Sequence, residues 1–471
     1  MAPSPPAGRD RPPPRRWRLG ALIGAVALAV SGCAGAGALG GAEGARTITI
    51  AIVSNPQMED AIELSPKFEA ENPGIRLKFV SLSENEARAK ITSSVATGGD
   101  EFDAVMISNY ETPQWARNGW LTDLDPLMAA TPGYDEDDFI PTVRKALSGP
   151  DGHMYSTPFY GESSFLMYRK DLFAQAGLTM PAKPTWPQIA DLAAKLDDKD
   201  AGRAGICLRG KPGWGELMAP LDTVVNAFGG RWYDPQWNAQ LNSPQYKQAV
   251  QFYVDLVSKH GEPGAATAGF SECGTRFSQG NAAMWYDATV ASGTVESKTD
   301  SKVGGQVGYA PAPVGLDGRP SGWLYSWSLA IPRKTAEKGP GAVEDTWKFL
   351  SWMTSKPYQQ MVGQELGWDS VPPGARQSTY TIPEYAAASK NYAPQTLAAI
   401  SAADQSKPGS QPVPYSGIQF VGIPEFQDLG TRVSQQISAA IAGQQSVDEA
   451  LEQGQRYAET VGETYKQGGA G

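Results

Sequence analysis

The chain has 471 residues, a length that corresponds to two or three domains of roughly 150 residues each. With 41% hydrophobic and 19% charged residues, its composition is that of a globular protein rather than a disordered one. The formal net charge of -10 argues against nucleic acid as a main partner. The presence of only 2 histidines argues against a multi-histidine metal site.

Residues 1–32 are predicted to be a signal peptide. Arginines precede an uncharged, mostly apolar run over residues 19–31, which is shorter than the roughly 20 residues that a membrane-spanning helix needs. The run ends at Val30-Ser31-Gly32-Cys33, which resembles a bacterial lipobox and predicts lipidation of Cys33. The alternatives are a plain signal peptide with an incidental cysteine, and a twin-arginine signal at Arg15-Arg16.

Residues 33–46 are rich in alanine and glycine, so they are predicted to be a flexible linker between the lipidated cysteine and the fold. A lipid anchor would hold the protein outside the cytoplasm, on the bacterial cell membrane. No later segment of the sequence is apolar enough to be a membrane span.

The fold is predicted to begin with a β-branched strand over residues 47–53. A helix follows and stops at Asn72-Pro73-Gly74, and residues 75–82 then alternate as a second strand. Residues 84–97 are predicted to be helical and residues 102–108 to form a third strand. This alternation predicts an α/β fold, in which ligands bind beyond the carboxyl ends of the strands. The side chains at those positions are Asn55, Glu84, Tyr110 and Glu111.

Helix start signals continue through the rest of the chain. Thr185 is a predicted N-cap, Ser243-Pro244 opens a helix to about residue 259, and a capping box at residues 446–449 precedes the last helix. Because thiols outside the cytoplasm tend to pair, Cys207 and Cys273 are predicted to form a disulfide, with buried free cysteines as the alternative.

Several motifs between residues 47 and 360 belong together. They are Asn72-Pro73-Gly74-Ile75, Phe102-Asp103-Ala104-Val105, Met167 to Phe173, Pro184-Thr185-Trp186 and Gly280 to Trp285. This set resembles the extracytoplasmic solute-binding proteins of ABC transporters. The resemblance implies a two-lobed, periplasmic-binding-protein-like (type II) fold, with hinge strands and a cleft between the lobes that closes on a solute.

A narrower set of motifs extends nearly to the C-terminus. It comprises Tyr110 to Pro113, Pro158 to Ser164, Cys207 to Glu216, Met284 to Thr289, Trp323 to Trp327 and Gln419 to Phe426. This set resembles the mannitol and sorbitol binders within the same family. The family fold implies an N-terminal lobe of residues 47–161 with 314–360, and a C-terminal lobe of residues 162–313 with 361–471.

A polyol is linear, neutral and densely hydroxylated, so its site needs many fixed polar partners, some of them charged. Carboxylates accept from hydroxyls, cations donate to them, and tryptophans cover the C–H faces. The candidates chosen on this logic, besides the four strand-end residues, are Glu162, Arg209, Lys211, Trp214, Asp287, Trp323 and Trp327. Tyr325 lies on the same strand face as the last two.

Most of these candidates also have a purely structural interpretation. Asn55 and Glu84 could cap helices, Glu162 could form an ion pair at the hinge, and Arg209 could form a structural salt bridge. Glu111 and Tyr110 could belong to a solvated loop, and the three candidate tryptophans could be core residues.

The sequence therefore predicts a lipid-anchored, monomeric receptor that passes a polyol to an ABC permease, with no cofactor, metal or enzymatic step. A mono- or disaccharide ligand is the first alternative. A secreted glycoside hydrolase is a remote one, because Glu111, Glu162 and Asp287 could supply paired carboxylates. A binder that serves adhesion or chemosensing would share the cleft and differ only in its partner.

Overall fold

The computed structural model describes residues 44–315, 318–319 and 321–468. The predicted signal peptide, Cys33 and residues 34–43 of the linker lie outside these residues. Within them, helices alternate with strands that form two sheets, in agreement with the predicted α/β class. No helix in this part of the chain combines the length and the apolar character needed to cross a membrane.

The described residues form eight strands, which are β1 (Arg46–Val53), β2 (Ile75–Leu82), β3 (Ala104–Ser108), β4 (Thr157–Glu162), β5 (Ser164–Arg169), β6 (Met284–Ala288), β7 (Val307–Pro311) and β8 (Tyr325–Ala330).

The helices before β6 are α1 (Pro56–Glu71), α2 (Glu84–Ala96), α3 (Glu111–Arg117), α4 (Asp125–Ala129), α5 (Pro141–Ala146), α6 (Lys170–Gln175), α7 (Trp186–Leu196), α8 (Met218–Ala227), α9 (Pro244–His260) and α10 (Phe270–Ser278). Those after it are α11 (Ala291–Glu296), α12 (Ala342–Met353), α13 (Lys356–Glu365), α14 (Pro383–Ala388), α15 (Ala393–Ala402), α16 (Phe426–Ile441) and α17 (Val447–Gly468). Short 3-10 turns lie at Glu136–Asp138, Ala265–Thr267, Arg333–Lys338 and Ser378–Thr381.

The first sheet has the strand order β2-β1-β3-β8-β4. β1 pairs in parallel with β2 and β3, whereas β8 runs antiparallel to both β3 and β4. Ile48 and residues 50–53 of β1 are buried on both faces of the strand, as expected of a parallel strand covered by helices, whereas Thr47 is exposed and Thr49 partly exposed. The parallel pairing brings the carboxyl ends of β1 and β2 to one edge, where Asn55 and Glu84 begin the next helices.

The second sheet has the order β6-β5-β7, with both outer strands antiparallel to β5. Only Ser163 separates β4 of the first sheet from β5 of the second, so the chain passes between sheets in one residue. Ser163 is held there because its N–H donates to Thr289 Oγ1 (3.2 Å) and its carbonyl accepts from Thr289 N (2.8 Å). The lobe limits given above remain a prediction.

A second backbone segment lies directly against this crossing. Gly161 N donates to the Pro373 carbonyl (2.9 Å), and the Gly374 carbonyl lies so close to Gly161 that a Cβ would clash there. Gly374 has a φ of +73°, and a Cβ added to it would clash with the Gly161 carbonyl. Glycine is therefore needed at both positions of this contact.

Three helix starts have the geometry that their sequences predict. The side chain of Thr185 accepts from Gln188 N while Gln188 Oε1 accepts from Thr185 N, which closes a capping box at α7. Ser243 caps α9 with Pro244 as its first residue. Ser446 and Glu449 form the same reciprocal pair ahead of α17.

Cys207 and Cys273 form a disulfide whose two cysteines are fully buried. Cys207 pairs with Trp285 along β6, and Cys273 lies on α10. The disulfide therefore connects α10 to the chain segment that leads into residues 209–216.

Removal of this bond by Cys207→Ala with Cys273→Ala is expected to lower the unfolding free energy by about 4 kcal/mol. The bond closes a loop with a sequence separation of 66, and the chain entropy of such a loop has about this value. Denaturant titration of the full-length chain measures the change. Reductant added during unfolding should bring the wild type to the midpoint of the double variant and leave that variant unchanged. A loss below about 1 kcal/mol would contradict the expectation.

Candidate functional site

A cavity of ≈ 480 Å³ lies between the two sheets. That volume is within the range of about 300–1,000 Å³ found for small-molecule sites. Its wall comes from the ends of β1 and β2, the end of β4, residues 209–216, the start of α10, the end of β6 and residues 323–327. The cavity thus lies where the polar strand-end residues of the first sheet face a loop attached to the second.

The structure brings most of the predicted binding residues to this wall. Those that line the cavity are Asn55, Glu84, Glu162, Arg209, Lys211, Trp214, Trp323 and Trp327. Tyr110, Glu111 and Asp287 are buried behind the lining instead, and each contacts a residue that does line it. Their geometry favours positioning of other side chains over direct contact with a ligand.

Arg88 of α2 is the centre of the wall on the side of the first sheet. Its Nε and Nη2 donate to Glu84 Oε1 (3.0 and 2.8 Å), and its Nη1 donates to Glu111 Oε1 (3.3 Å). Nη2 also donates to the Tyr325 hydroxyl (2.6 Å). These bonds fix a guanidinium that is only 6% exposed, and they explain why Glu111 lies behind the cavity.

Two tryptophans stack on the same guanidinium. Arg88 Cζ lies 4.1 Å from the ring centroid of Trp214 and 4.5 Å from that of Trp327. Trp214 also packs on Tyr110, with ring centroids 4.5 Å apart, and the Tyr110 hydroxyl donates to the Ile423 carbonyl (2.7 Å). Tyr110 therefore supports Trp214, which reaches from the loop of the second sheet to side chains of the first.

Arg209 holds the corresponding place on the side of the second sheet. Its Nε and Nη2 donate to the Asp287 carboxylate (2.9 and 2.5 Å), and its Nη1 donates to the Gly215 carbonyl (2.9 Å). Asp287 is fully buried on β6 and also accepts from Trp285 Nε1 (3.0 Å). Asp287 therefore sets the orientation of Arg209 and does not itself reach the cavity.

Lys211 and two glutamates complete this side. Lys211 Nζ lies 3.5 Å from Glu216 Oε1 and 3.6 Å from Glu272 Oε1. Burial, followed by the negative charge of Glu84, raises the pKa of Glu216. Glu84 belongs to α2 and Glu216 to the opposite loop, so the two carboxyl groups face each other across the cleft.

Asn55 caps a helix, as one of its two interpretations predicts, and it also lies at the cavity wall. Its Oδ1 accepts from Met58 N (3.0 Å) and caps α1, whereas its Nδ2 donates to the Tyr160 hydroxyl (3.2 Å) at the cavity. The cap thus fixes an amide that orients Tyr160.

Several polar atoms of the wall have no partner among the described residues. Trp323 Nε1 is a buried donor without an acceptor, and Gln419 Oε1 is a buried acceptor without a donor. Glu162 is 7% exposed, and no side chain or backbone group in the described ranges donates to its carboxyl oxygens. Since unpaired buried polar groups cost free energy, a ligand that supplies both donors and acceptors would be stabilised here.

Glu162 is a protonated acid at neutral pH, because burial raises its pKa from 4.5 to about 8. The charges of Arg209 and Arg88 oppose this shift, while those of Asp287 and Glu84 favour it. From pH 4.5 to 8 an unfolded chain ionises this residue and the native chain does not. The native state therefore loses stability as the pH rises through that window.

We expect Glu162→Gln to remove this dependence. The unfolding free energy of the variant relative to the wild type should rise with pH and reach about 4 kcal/mol near pH 8. Denaturant titrations at several pH values measure the difference. Glu86→Gln, at an exposed position of the cavity rim, is the matched control for the loss of a carboxyl group. A constant difference for Glu162→Gln would contradict the shift.

Sequence reasoning missed several residues of the wall. Those with charged side chains are Glu86, Arg88, Glu216 and Glu272, and the larger polar ones include Tyr160 and Gln419. Arg88 follows Glu84 by four residues on α2, a spacing that favours an ion pair and could have drawn attention to it. Its other partners, Glu111 and Tyr325, lie 23 and 237 residues away, so the local pattern could not have identified them.

Comparison with known proteins extends over most of the chain. The sequence profile described as "bacterial extracellular solute-binding protein" matches residues 54–360. The chain is 44% identical over 410 residues to the mannitol-binding protein of Pseudomonas aeruginosa, a match that covers 87% of this chain and 92% of that protein.

Solved structures show the same relation. A crystal structure of an ABC transporter solute-binding protein from Agrobacterium vitis with bound D-mannitol has a TM-score of 0.85 at 47% identity, covering 90% of this chain and 99% of that one. An ABC transporter solute-binding protein from Agrobacterium radiobacter in complex with ribitol has a TM-score of 0.77 at 25% identity, covering 88% and 98%.

Proposed function

Since the chain belongs to the family of bacterial extracellular solute-binding proteins, we propose that its cavity binds a neutral, linear polyol of the mannitol and sorbitol type. The family consists of binding proteins, so the chain is a binding protein and not an enzyme. The relative named as a mannitol-binding protein, and the solved structures with bound D-mannitol and with ribitol, support a polyol as the ligand.

The proposal rests on polar groups of the cavity wall that have no hydrogen-bond partner among the described residues and that lie beside the buried ion pairs of two arginines. Each polyol hydroxyl can donate one hydrogen bond and accept others. Gln419 Oε1 would accept from a hydroxyl, Trp323 Nε1 would donate to one, and Glu162 could do both in its protonated form. The buried ion pairs of Arg88 and Arg209 are fixed in advance and would add charge-assisted hydrogen bonds.

A mono- or disaccharide is the second candidate, and the three tryptophans of the wall are the observation in its favour. A pyranose needs a free aromatic face on which to stack. Trp214 packs against both Arg88 and Tyr110, and Trp327 packs against Arg88 as well, so these rings already have polar or aromatic neighbours. This arrangement supports the polyol over the pyranose.

The proposed mechanism is a population shift between open and closed forms. A polyol that contacts Arg88 and Glu84 on one side and Arg209 on the other would stabilise the closed form by its contacts to both lobes. We further propose that the closed protein, as a monomer, delivers the polyol to the permease of an ABC importer. The family places this step outside the cytoplasm.

Isothermal titration of the full-length chain with D-mannitol, D-sorbitol, D-glucose and maltose tests the ligand class. We expect dissociation constants of about 1 μM or tighter for at least one hexitol and binding at least about tenfold weaker for the sugars, without turnover. A preference for glucose or maltose would contradict the polyol assignment, and product formation would contradict the receptor.

The lipid anchor at Cys33 is part of the same proposal and has its own test. Cys33→Ser should move the protein from the membrane fraction of expressing cells to the soluble extracytoplasmic fraction, because the lipid chains are the proposed attachment. Membrane association of the variant equal to that of the wild type would contradict the anchor.

A further inference from the structure

The cavity wall carries an excess of carboxyl groups, and this excess affects which charged polyols the site can bind. Its wall carries carboxyl groups from Glu84, Glu86, Glu162, Glu216 and Glu272, but only three basic side chains, Arg88, Arg209 and Lys211. Glu111 and Asp287 add two more carboxylates directly behind two of those cations. Carboxyl groups thus outnumber cations at this site by more than two to one.

Each of the three cations already has a carboxylate partner from the protein. Arg88 Nη2 lies 2.8 Å from Glu84 Oε1, and Arg209 Nη2 lies 2.5 Å from Asp287 Oδ1. Lys211 Nζ lies between Glu216 and Glu272. A ligand carboxylate or phosphate would compete with these partners and would meet an excess of negative charge, so the site disfavours anions.

Among the nearly buried carboxyl groups of the wall, Glu162 is the one that forms no ion pair with a described residue, and the exposed Glu86 also forms none. It is nearly buried, lines the cavity and accepts no hydrogen bond from any described residue, whereas Glu84 and Glu216 both have cationic neighbours. Its position at the end of β4, next to the crossing at Ser163, fixes it between the two lobes. Arg209 and Arg88 act on Glu162 without forming an ion pair with it, so a ligand cation placed there would supply a direct opposite charge in a site of low dielectric.

Resting on the proposed polyol function, we infer that the cavity also binds cationic amino polyols, with the ligand ammonium paired to Glu162, and rejects anionic polyols. An ammonium group replaces a terminal hydroxyl with little change in size, so an amino hexitol fits wherever the hexitol does. Its three N–H donors suit an acceptor-only carboxylate.

Pairing of the ligand ammonium with Glu162 is coupled to the loss of the Glu162 proton. Below about pH 8 Glu162 is protonated, so binding of an ammonium ligand releases one proton from its carboxyl group to solvent. The charged and titratable groups that face it are Arg209, Asp287, Glu84, Arg88 and Tyr160. The two arginines favour ionisation, and Asp287 and Glu84 oppose it, which leaves burial as the main cost that the ammonium offsets. Affinity for the amine should therefore rise with pH until Glu162 is ionised.

The test is a set of calorimetric titrations of the full-length chain with D-mannitol, 1-amino-1-deoxy-D-mannitol and D-mannonate, at about pH 6.5 and about pH 8.5. An alkyl ammonium, with a pKa near the roughly 10 of lysine, stays largely protonated at both. We expect the ratio of amine affinity to mannitol affinity to rise at least about tenfold between the two pH values, and mannonate to bind at least about a hundredfold more weakly than mannitol.

Variants separate Glu162 from the general charge of the cleft. Glu162→Gln should lower the amine-to-mannitol ratio by at least about tenfold near pH 8.5, because the pairing charge is gone. Glu449→Gln, where the carboxylate is exposed, bonded to Ser446 Oγ (2.8 Å) and outside the cavity wall, should leave the ratio within about twofold.

Failure of this inference and failure of the polyol proposal are distinguishable. Three results would overturn the amine inference and leave the polyol proposal intact. The protein could bind mannitol but not the amine, it could bind mannonate as tightly as mannitol, or Glu162→Gln could leave the amine-to-mannitol ratio unchanged. Absence of binding by both hexitols would overturn the polyol proposal, and amine binding in that case would still support the pairing with Glu162.

Discussion

Arg88→Lys is expected to weaken polyol binding by at least about a hundredfold, which corresponds to about 3 kcal/mol. Lysine keeps the positive charge but has one nitrogen in place of the guanidinium fork. It cannot donate at once to Glu84, Glu111 and Tyr325, and it loses the flat face that stacks on two tryptophans. Two carboxylates would be left partly unpaired beside the cavity.

Calorimetric titration with D-mannitol measures this loss. Arg456→Lys is the matched control, because Arg456 forms an exposed ion pair with Glu452 on α17 and should tolerate the change. A dissociation constant of Arg88→Lys within about threefold of the wild-type value would contradict the role of Arg88, because it would show that the guanidinium geometry does not matter for binding.

Asp287→Asn is expected to lower the unfolding free energy by about 3–5 kcal/mol and to weaken polyol binding by at least about tenfold. The asparagine keeps the shape of the side chain but removes the charge that pairs with Arg209 in a fully buried place. Arg209 would keep its hydrogen bond to the Gly215 carbonyl, but the remaining carboxylate partner among the described residues would be the more distant Glu216, at 3.7 Å. Since Asp287 does not line the cavity, its effect on binding must pass through Arg209.

A double-mutant cycle checks that path, with binding and denaturant unfolding measured for each member. Because the two side chains act as a unit, Asp287→Asn combined with Arg209→Met should bind no more weakly than the weaker single variant. Asp428→Asn, which affects an exposed pair with Arg432, is the control for the loss of a carboxylate. Additive losses in binding would contradict the positioning role of Asp287, and a stability loss below about 1 kcal/mol would contradict the importance of the pair.

The parts of the fold that follow from local sequence agree closely with the structure. β2 spans Ile75–Leu82 as predicted, β1 begins one residue early at Arg46, and β3 begins two residues late at Ala104. The capping residues Thr185 and Ser446 behave as expected because a cap depends on neighbours only three residues away. The two-lobed binding-protein fold, which the sequence indicated only by resemblance, is confirmed by the matching solved structures.

The site was harder to predict because its residues are brought together by long-range packing. The strand-end rule correctly directed attention to Asn55 and Glu84, since the carboxyl ends of parallel strands share one edge. The same rule cannot distinguish a side chain that faces the cavity from one directly behind it. Glu111 and Asp287 follow or end strands as well, yet each points to an arginine.

We propose that a polyol lies between the two lobes, in contact with the wall of charged groups. A crystal structure of the protein with D-mannitol tests it most directly. We expect one mannitol in the cavity, with hydroxyls within hydrogen-bond distance of Glu162 and Trp323 Nε1 and of at least one residue of α2. Mannitol bound elsewhere on the protein, or a cavity that stays free of it at saturating concentration, would contradict the account.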